Sequence, residues 1–163
     1  MFKFLNRVFD LREGETGVVI VLSLLLLANT TSRQMSGVVG IADFINFGGL
    51  NQTLVVNFIN GVLILITATI SSFVIDRFNR IQLLRWTSFI FALCFIALAL
   101  MSYVNVSSKA MAALLYLLSQ QQWLVFPMMF WVLVNDMFEM AQGKRLIPII
   151  GSWTFIGKIL GIG

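Results

Sequence analysis

The chain has 163 residues, 59% of them apolar and 11% charged, with no histidine, a single cysteine (Cys94) and a formal net charge of +4. Soluble domains run at about 45–50% apolar and about 25% charged, so this balance belongs to lipid, where basic residues set orientation rather than bind nucleic acid. Without histidine or a second cysteine, zinc clusters, histidine acid/base catalysis, Cys/His nucleophile pairs and disulfides are excluded, and no metal or cofactor is expected.

Residues 1–16 open the chain as an amphipathic segment. Phe2, Phe4, Leu5, Val8, Phe9 and Leu11 fall on one helical side and Lys3, Asn6, Arg7 and Asp10 on the other, the pattern of an interfacial helix. Asp10, Glu13 and Glu15 ahead of the first apolar run, with no small-x-small cleavage site after it, speak against a secretory signal. Crossing a bilayer takes about 20 mostly apolar residues. Such runs occupy approximately 17–42, 52–75, 83–104, 110–138 and 146–163. The first turns polar from Asn29 to Gln34 before resuming, and the fifth stops in apolar sequence with no flanking charge, which predicts a truncated span and a fragment of a longer protein. Short connections make the spans antiparallel neighbours, and the expected fold is an all-α polytopic transmembrane helical bundle.

Basic residues sort by connection. Lys3, Arg7 and Arg12 precede the first span, Arg77, Arg80 and Arg85 lie at the second-to-third connection, and Lys144 and Arg145 at the fourth-to-fifth, while the alternate connections hold Lys109 alone. The positive-inside rule then puts the amino terminus in the cytoplasm.

Arg33 and Lys158 are left within spans, where a cation near the centre costs about 2.5–3.5 kcal/mol on insertion scales and therefore implies a partner or a wet cavity. Arg33 has two readings, a substrate or ion-pair role or a position past the midplane from which it snorkels outward. Around it Asn29, Ser32, Ser36 and Gly40 recur at helical spacing, as do Thr53, Asn57, Asn60, Thr67 and Ser71 in the second span. Ser119, Gln120, Gln121 and Gln122 cluster in the fourth, followed by Pro127 and, near its end, Asn135 and Asp136. Small and amide side chains also glue membrane helices together, and Gly151, Gly157 and Gly161 around Lys158 suit close packing. Arg33, Asn57, Asn60, Gln121, Gln122 and Lys158 are the candidate cavity residues. If both cations face one cavity, they suit an anionic solute.

The connection Ser72 to Leu84, SFVIDRFNRIQLL, resembles the signature of the major facilitator superfamily, roughly G-x-x-x-D-R-x-G-R between the second and third spans. Asp76, Arg77 and Arg80 match, with Ser72 and Asn79 at the two glycine positions. Leu11–Glu15 (LREGE), Ala42–Gly49 (ADFINFGG) and Phe130–Gly161 (FWVLVNDMFEMAQGKRLIPIIGSWTFIGKILG) are similar to the bacterial branch of its ATP/ADP antiporter family. The resemblance implies the first five of twelve spans and a cytoplasmic gate carried by Asp76, Arg77, Arg80, Asp136, Glu139, Lys144 and Arg145. It also implies exchange of nucleotides of the ATP/ADP kind, with in-span cations on phosphate.

The expected function is therefore a secondary transporter working by alternating access on a nucleotide or another small anionic solute. It would sit in a bacterial inner membrane, its pathway closed by the remaining helices of a full-length chain or by a partner subunit. The alternative is a non-transporting membrane scaffold or assembly subunit. An enzyme is not expected: beyond the amino-terminal segment the acids are Asp43, Asp76, Asp136 and Glu139, none paired within the membrane, and GKILGIG lacks the strand and Lys-Ser/Thr pair of a phosphate-binding loop.

Overall fold

The computed structural model describes residues 15–103 and 108–162. Four helices account for nearly all of them: α1 (Glu15–Ile75), α2 (Arg80–Ser102), α3 (Ser108–Met137) and α4 (Met140–Ile162). No strand occurs among the described residues. Five stretches within these helices are long and apolar enough to cross a bilayer: Glu15–Asn46, Gln52–Ile75, Arg80–Ser102, Lys109–Met137 and Met140–Ile162. These are the elements of an integral membrane protein. The amphipathic segment expected over residues 1–16 lies outside the described residues as far as position 14.

Two helix starts lie earlier than hydropathy alone places them, because each is capped. The Asn79 side chain accepts a hydrogen bond from the Ile81 N–H at 3.1 Å, so α2 begins at Arg80 rather than Leu83. Ahead of α4, Gln142 Oε1 accepts from the Glu139 N–H at 3.4 Å and the Glu139 carbonyl accepts from the Gly143 N–H at 2.8 Å. The first is the Gln142 half of a capping box and the second is the first backbone bond of the helix, which runs on through Lys144 and Arg145. Pro127 and Pro148 lie inside α3 and α4, which continue through them.

The chain divides into two compact units. The central unit is Arg33–Val134, and the terminal unit takes its described residues from 15–32 and 135–162.

In the central unit α1 is helical throughout but cannot be straight. A Cβ built on Gly37 would meet Ser119 Oγ at 3.6 Å and one built on Gly40 would meet the Tyr116 backbone nitrogen at 2.9 Å, so this part of α1 runs antiparallel to α3. Beyond residue 52 the order is reversed: Asn57 is bonded to Tyr116 and Asn60 to Gln121, a parallel course. Gly40 and Asn57 would stand about 25 Å apart on a straight helix, further than one tyrosine spans. The direction of α1 therefore turns back between Asn46 and Gln52, giving a first arm (Glu15–Asn46) and a second arm (Gln52–Ile75).

The core of this unit follows one face of α3, with Ala112, Tyr116, Ser119, Gln122, Phe126, Met129, Phe130 and Leu133 all buried. Phe126 stacks on Phe130 at 5.8 Å between ring centroids, and Phe130 meets Trp131 edge-on at 5.2 Å. From α2, Leu84 and Thr87 are buried, the Thr87 hydroxyl donating to Met129 Sδ at 3.0 Å. The rest of α2 exposes Trp86, Phe89, Ile90, Leu93, Ile96 and Leu100, the surface a helix offers to acyl chains.

In the terminal unit the start of α1 and α4 run parallel. Arg145 forms a 2.7 Å ion pair with Glu15, and Gln142 Nε2 donates to the same carboxylate at 3.2 Å. Further along, the Thr31 hydroxyl bonds its own Leu27 carbonyl at 2.9 Å and reaches the Gly157 carbonyl at 3.3 Å.

Candidate functional site

The polar residues of the central unit gather at one depth. On α3, Gln121 and Gln122 stand at the middle of the Lys109–Met137 span. Gln122 is buried, and Gln121 Nε2 donates to Asn60 Oδ1 at 3.3 Å across to the second arm of α1. One and a half turns along α3 the Tyr116 hydroxyl donates to Asn57 Oδ1 at 2.8 Å. These two cross-helix bonds use the amide stripe that helical spacing singles out in the second span, and Ser71 of that stripe is also buried.

Arg33 reaches the same level from the first arm. With Gly37 opposite Ser119 and Gly40 opposite Tyr116, the antiparallel register carries Arg33 level with Gln122 and Trp123. Within the helical stretch Glu15–Asn46, Arg33 stands two to three residues beyond the middle. Its guanidinium donates to the Gln34 side-chain oxygen at 3.1 Å, and its carbonyl accepts from the Ser36 hydroxyl at 3.1 Å.

The result is a band in which Arg33, Asn60, Gln121 and Gln122, from three membrane-crossing stretches, share one depth. The Gln121 side-chain oxygen is buried without a hydrogen-bond partner among the described residues. A buried acceptor in that state calls for a donor from a ligand or ordered water. Tyr116 belongs to this band and was not singled out by sequence, since a lone phenol in an apolar run carries no spacing mark.

Lys158 belongs to the terminal unit. It is exposed on α4, its ammonium 5.7 Å from the Phe155 ring centroid, while the neighbouring Gly157 and Gly161 are buried. The glycine spacing thus marks close packing: a Cβ on Gly157 would come within 2.9 Å of Thr30 Cβ and 3.0 Å of the Leu27 carbonyl oxygen.

The residues expected at the cytoplasmic gate divide between the units. Asp76 and Arg77 are exposed at the end of α1 and Arg80 is half-buried at the start of α2, all in the central unit. Asp136, Glu139, Lys144 and Arg145 lie in the terminal unit, the first three exposed. Arg145 is committed to Glu15, a partner that sequence reading leaves out because it takes Glu15 as flanking charge.

Asn135, Phe138, Glu139, Met140, Gly143, Lys144, Ile147 and Pro148 line a groove of about 530 Å³ at the junction of α3 and α4. No group of three or more metal-ligating side chains occurs among the described residues. Comparison with family models, with curated proteins and with solved structures finds no match to this chain.

Proposed function

We propose that this chain forms part of a secondary transporter of the major facilitator type, moving a small anionic solute by alternating access. The observation that carries the reading is the mid-span band of Arg33, Asn60, Gln121 and Gln122, in helices whose composition otherwise suits lipid. Polar groups at that depth are costly unless they face a cavity or each other, and transporters place their sites near the bilayer midplane. Arg33 gives the band a fixed positive charge and Gln121 an acceptor still to be satisfied, which together suit an anion that also donates hydrogen bonds. Nucleotides of the ATP/ADP kind meet that description and agree with the resemblance of the Phe130–Gly161 segment.

In this reading Asp76, Arg77 and Arg80 belong to the cytoplasmic gate, and further helices complete the pathway. The test is exchange in proteoliposomes by the full-length protein, loaded with ADP and challenged with labelled ATP, phosphate or a neutral nucleoside. Arg33→Gln should weaken uptake of the anions about thirtyfold or more, the loss when one member of a buried charge pair is removed at a cost of about 2 kcal/mol or more, and leave the nucleoside unaffected. Asp76→Asn should slow exchange while the protein still reaches the membrane. Uptake of none of these solutes above the protein-free background, with correctly inserted protein, would favour the scaffold alternative.

A further inference from the structure

The groove at the α3–α4 junction carries two charges of opposite sign that do not neutralise each other. Glu139 and Lys144 both line it and both are exposed, yet neither side chain makes an ion pair or hydrogen bond with a described residue. The backbone of Glu139 is held at the mouth of α4, its N–H by the Gln142 side chain and its carbonyl by the Gly143 N–H. Lys144 follows one turn later on the same helix. Pro148, also in the lining, has no N–H to offer the Lys144 carbonyl four residues back, which leaves that acceptor available at the groove. Asn135 adds a carboxamide from the end of α3.

The remaining walls are apolar: Phe138, Met140, Gly143, Ile147 and Pro148, with Met140 89% exposed. The groove lies where two membrane-crossing stretches meet at their ends, Lys109–Met137 and Met140–Ile162. That is the depth of lipid headgroups and the first acyl carbons. Its volume of about 530 Å³ is in the range of small-molecule sites, roughly 300–1,000 Å³.

We propose that this groove binds phosphatidylethanolamine. Lys144 and Asn135 take the phosphate, Glu139 and the Lys144 carbonyl take the primary ammonium, and Phe138, Met140 and Ile147 pack against glycerol and the upper acyl chain. Charge complementarity selects this lipid. Phosphatidylglycerol has no ammonium to set against Glu139, which its neutral glycerol head would leave uncompensated, and the trimethylammonium of phosphatidylcholine has no N–H to donate. The inference depends on the membrane setting and not on transport, so its outcome is independent of any substrate.

The test is native mass spectrometry of the full-length protein released from nanodiscs holding equal parts phosphatidylethanolamine, phosphatidylcholine and phosphatidylglycerol with matched acyl chains. The wild type should retain phosphatidylethanolamine above the other two. Glu139→Gln should lower that preference over phosphatidylglycerol by about two- to fivefold, the worth of one interfacial ion pair, and Lys144→Gln should reduce retention of all three. Ile147→Trp, which fills the groove and keeps both charges, should displace the bound lipid from monodisperse protein. Equal retention of the three lipids by the wild type, preferential retention of phosphatidylglycerol, or variants indistinguishable from wild type would each overturn the proposal.

Discussion

One added methyl group distinguishes three glycines of this chain. At Gly157 it would press on Thr30 Cβ and the Leu27 carbonyl, at Gly40 on the Tyr116 nitrogen and Cα, and at Gly61 it would meet nothing within 4 Å. Backbone atoms cannot rotate aside as a side chain does. Gly157→Ala and Gly40→Ala should therefore each destabilise the protein by about 1–3 kcal/mol, the usual cost of overpacking. Gly61→Ala should stabilise it by about 0.5–1 kcal/mol through helix propensity. Reversible unfolding in mixed detergent micelles measures all three, and equal midpoints would contradict the close approaches. Tyr116→Phe, which removes only the hydroxyl donated to Asn57, should cost about 0.6 kcal/mol, the average for a hydrogen bond between membrane helices. Much of this was legible in the residues. Small-xxx-small spacing marked Gly157 and Gly161, and the three-and-four spacing of amides marked Asn57 and Asn60. Tyr116 was not, because its role comes from which helix lies opposite.

At the scale of elements, the terminal unit ties two parallel helices at two heights, Glu15 to Arg145 and Thr31 to Gly157. The first tie is a single charged contact with both side chains mostly covered, 24% exposed for Arg145 and 12% for Glu15. A double-mutant cycle with Glu15→Gln and Arg145→Gln should return a coupling of about 1 kcal/mol, at the upper end for accessible pairs, and shrink in high salt. A coupling near zero would reduce the contact to an incidental one. The second apolar run, 52–75, coincides with the second arm of α1, Gln52–Ile75. The helical stretch that holds the first apolar run continues to Asn46, and the one that holds the fifth begins at Met140. A helix persists through charged and polar residues when its backbone is satisfied, and hydropathy does not register that. Nor could periodicity show that α1 remains helical while its course reverses, because that follows from contacts with α3.

For the molecule as a whole, loop charges assign sides that accessibility can test. In a Cys94→Ser background, Gln52→Cys and Lys109→Cys should react with a membrane-impermeant maleimide on intact cells, and Arg77→Cys and Lys144→Cys only after lysis. The opposite pattern would invert the orientation. Five helical stretches long and apolar enough to cross a membrane could be read from composition and run length, whereas the division into two units could not, because it depends on which helix faces are covered. The helix with least cover is α2, whose buried residues are Leu84 and Thr87. Its sequence therefore holds little positional information. A saturation screen scored for folding should accept almost any apolar residue at Phe89, Ile90, Leu93, Ile96 and Leu100, while Leu84 and Thr87 stay restricted. Along this helix an evolving lineage would be free to change nearly every letter and keep the same meaning.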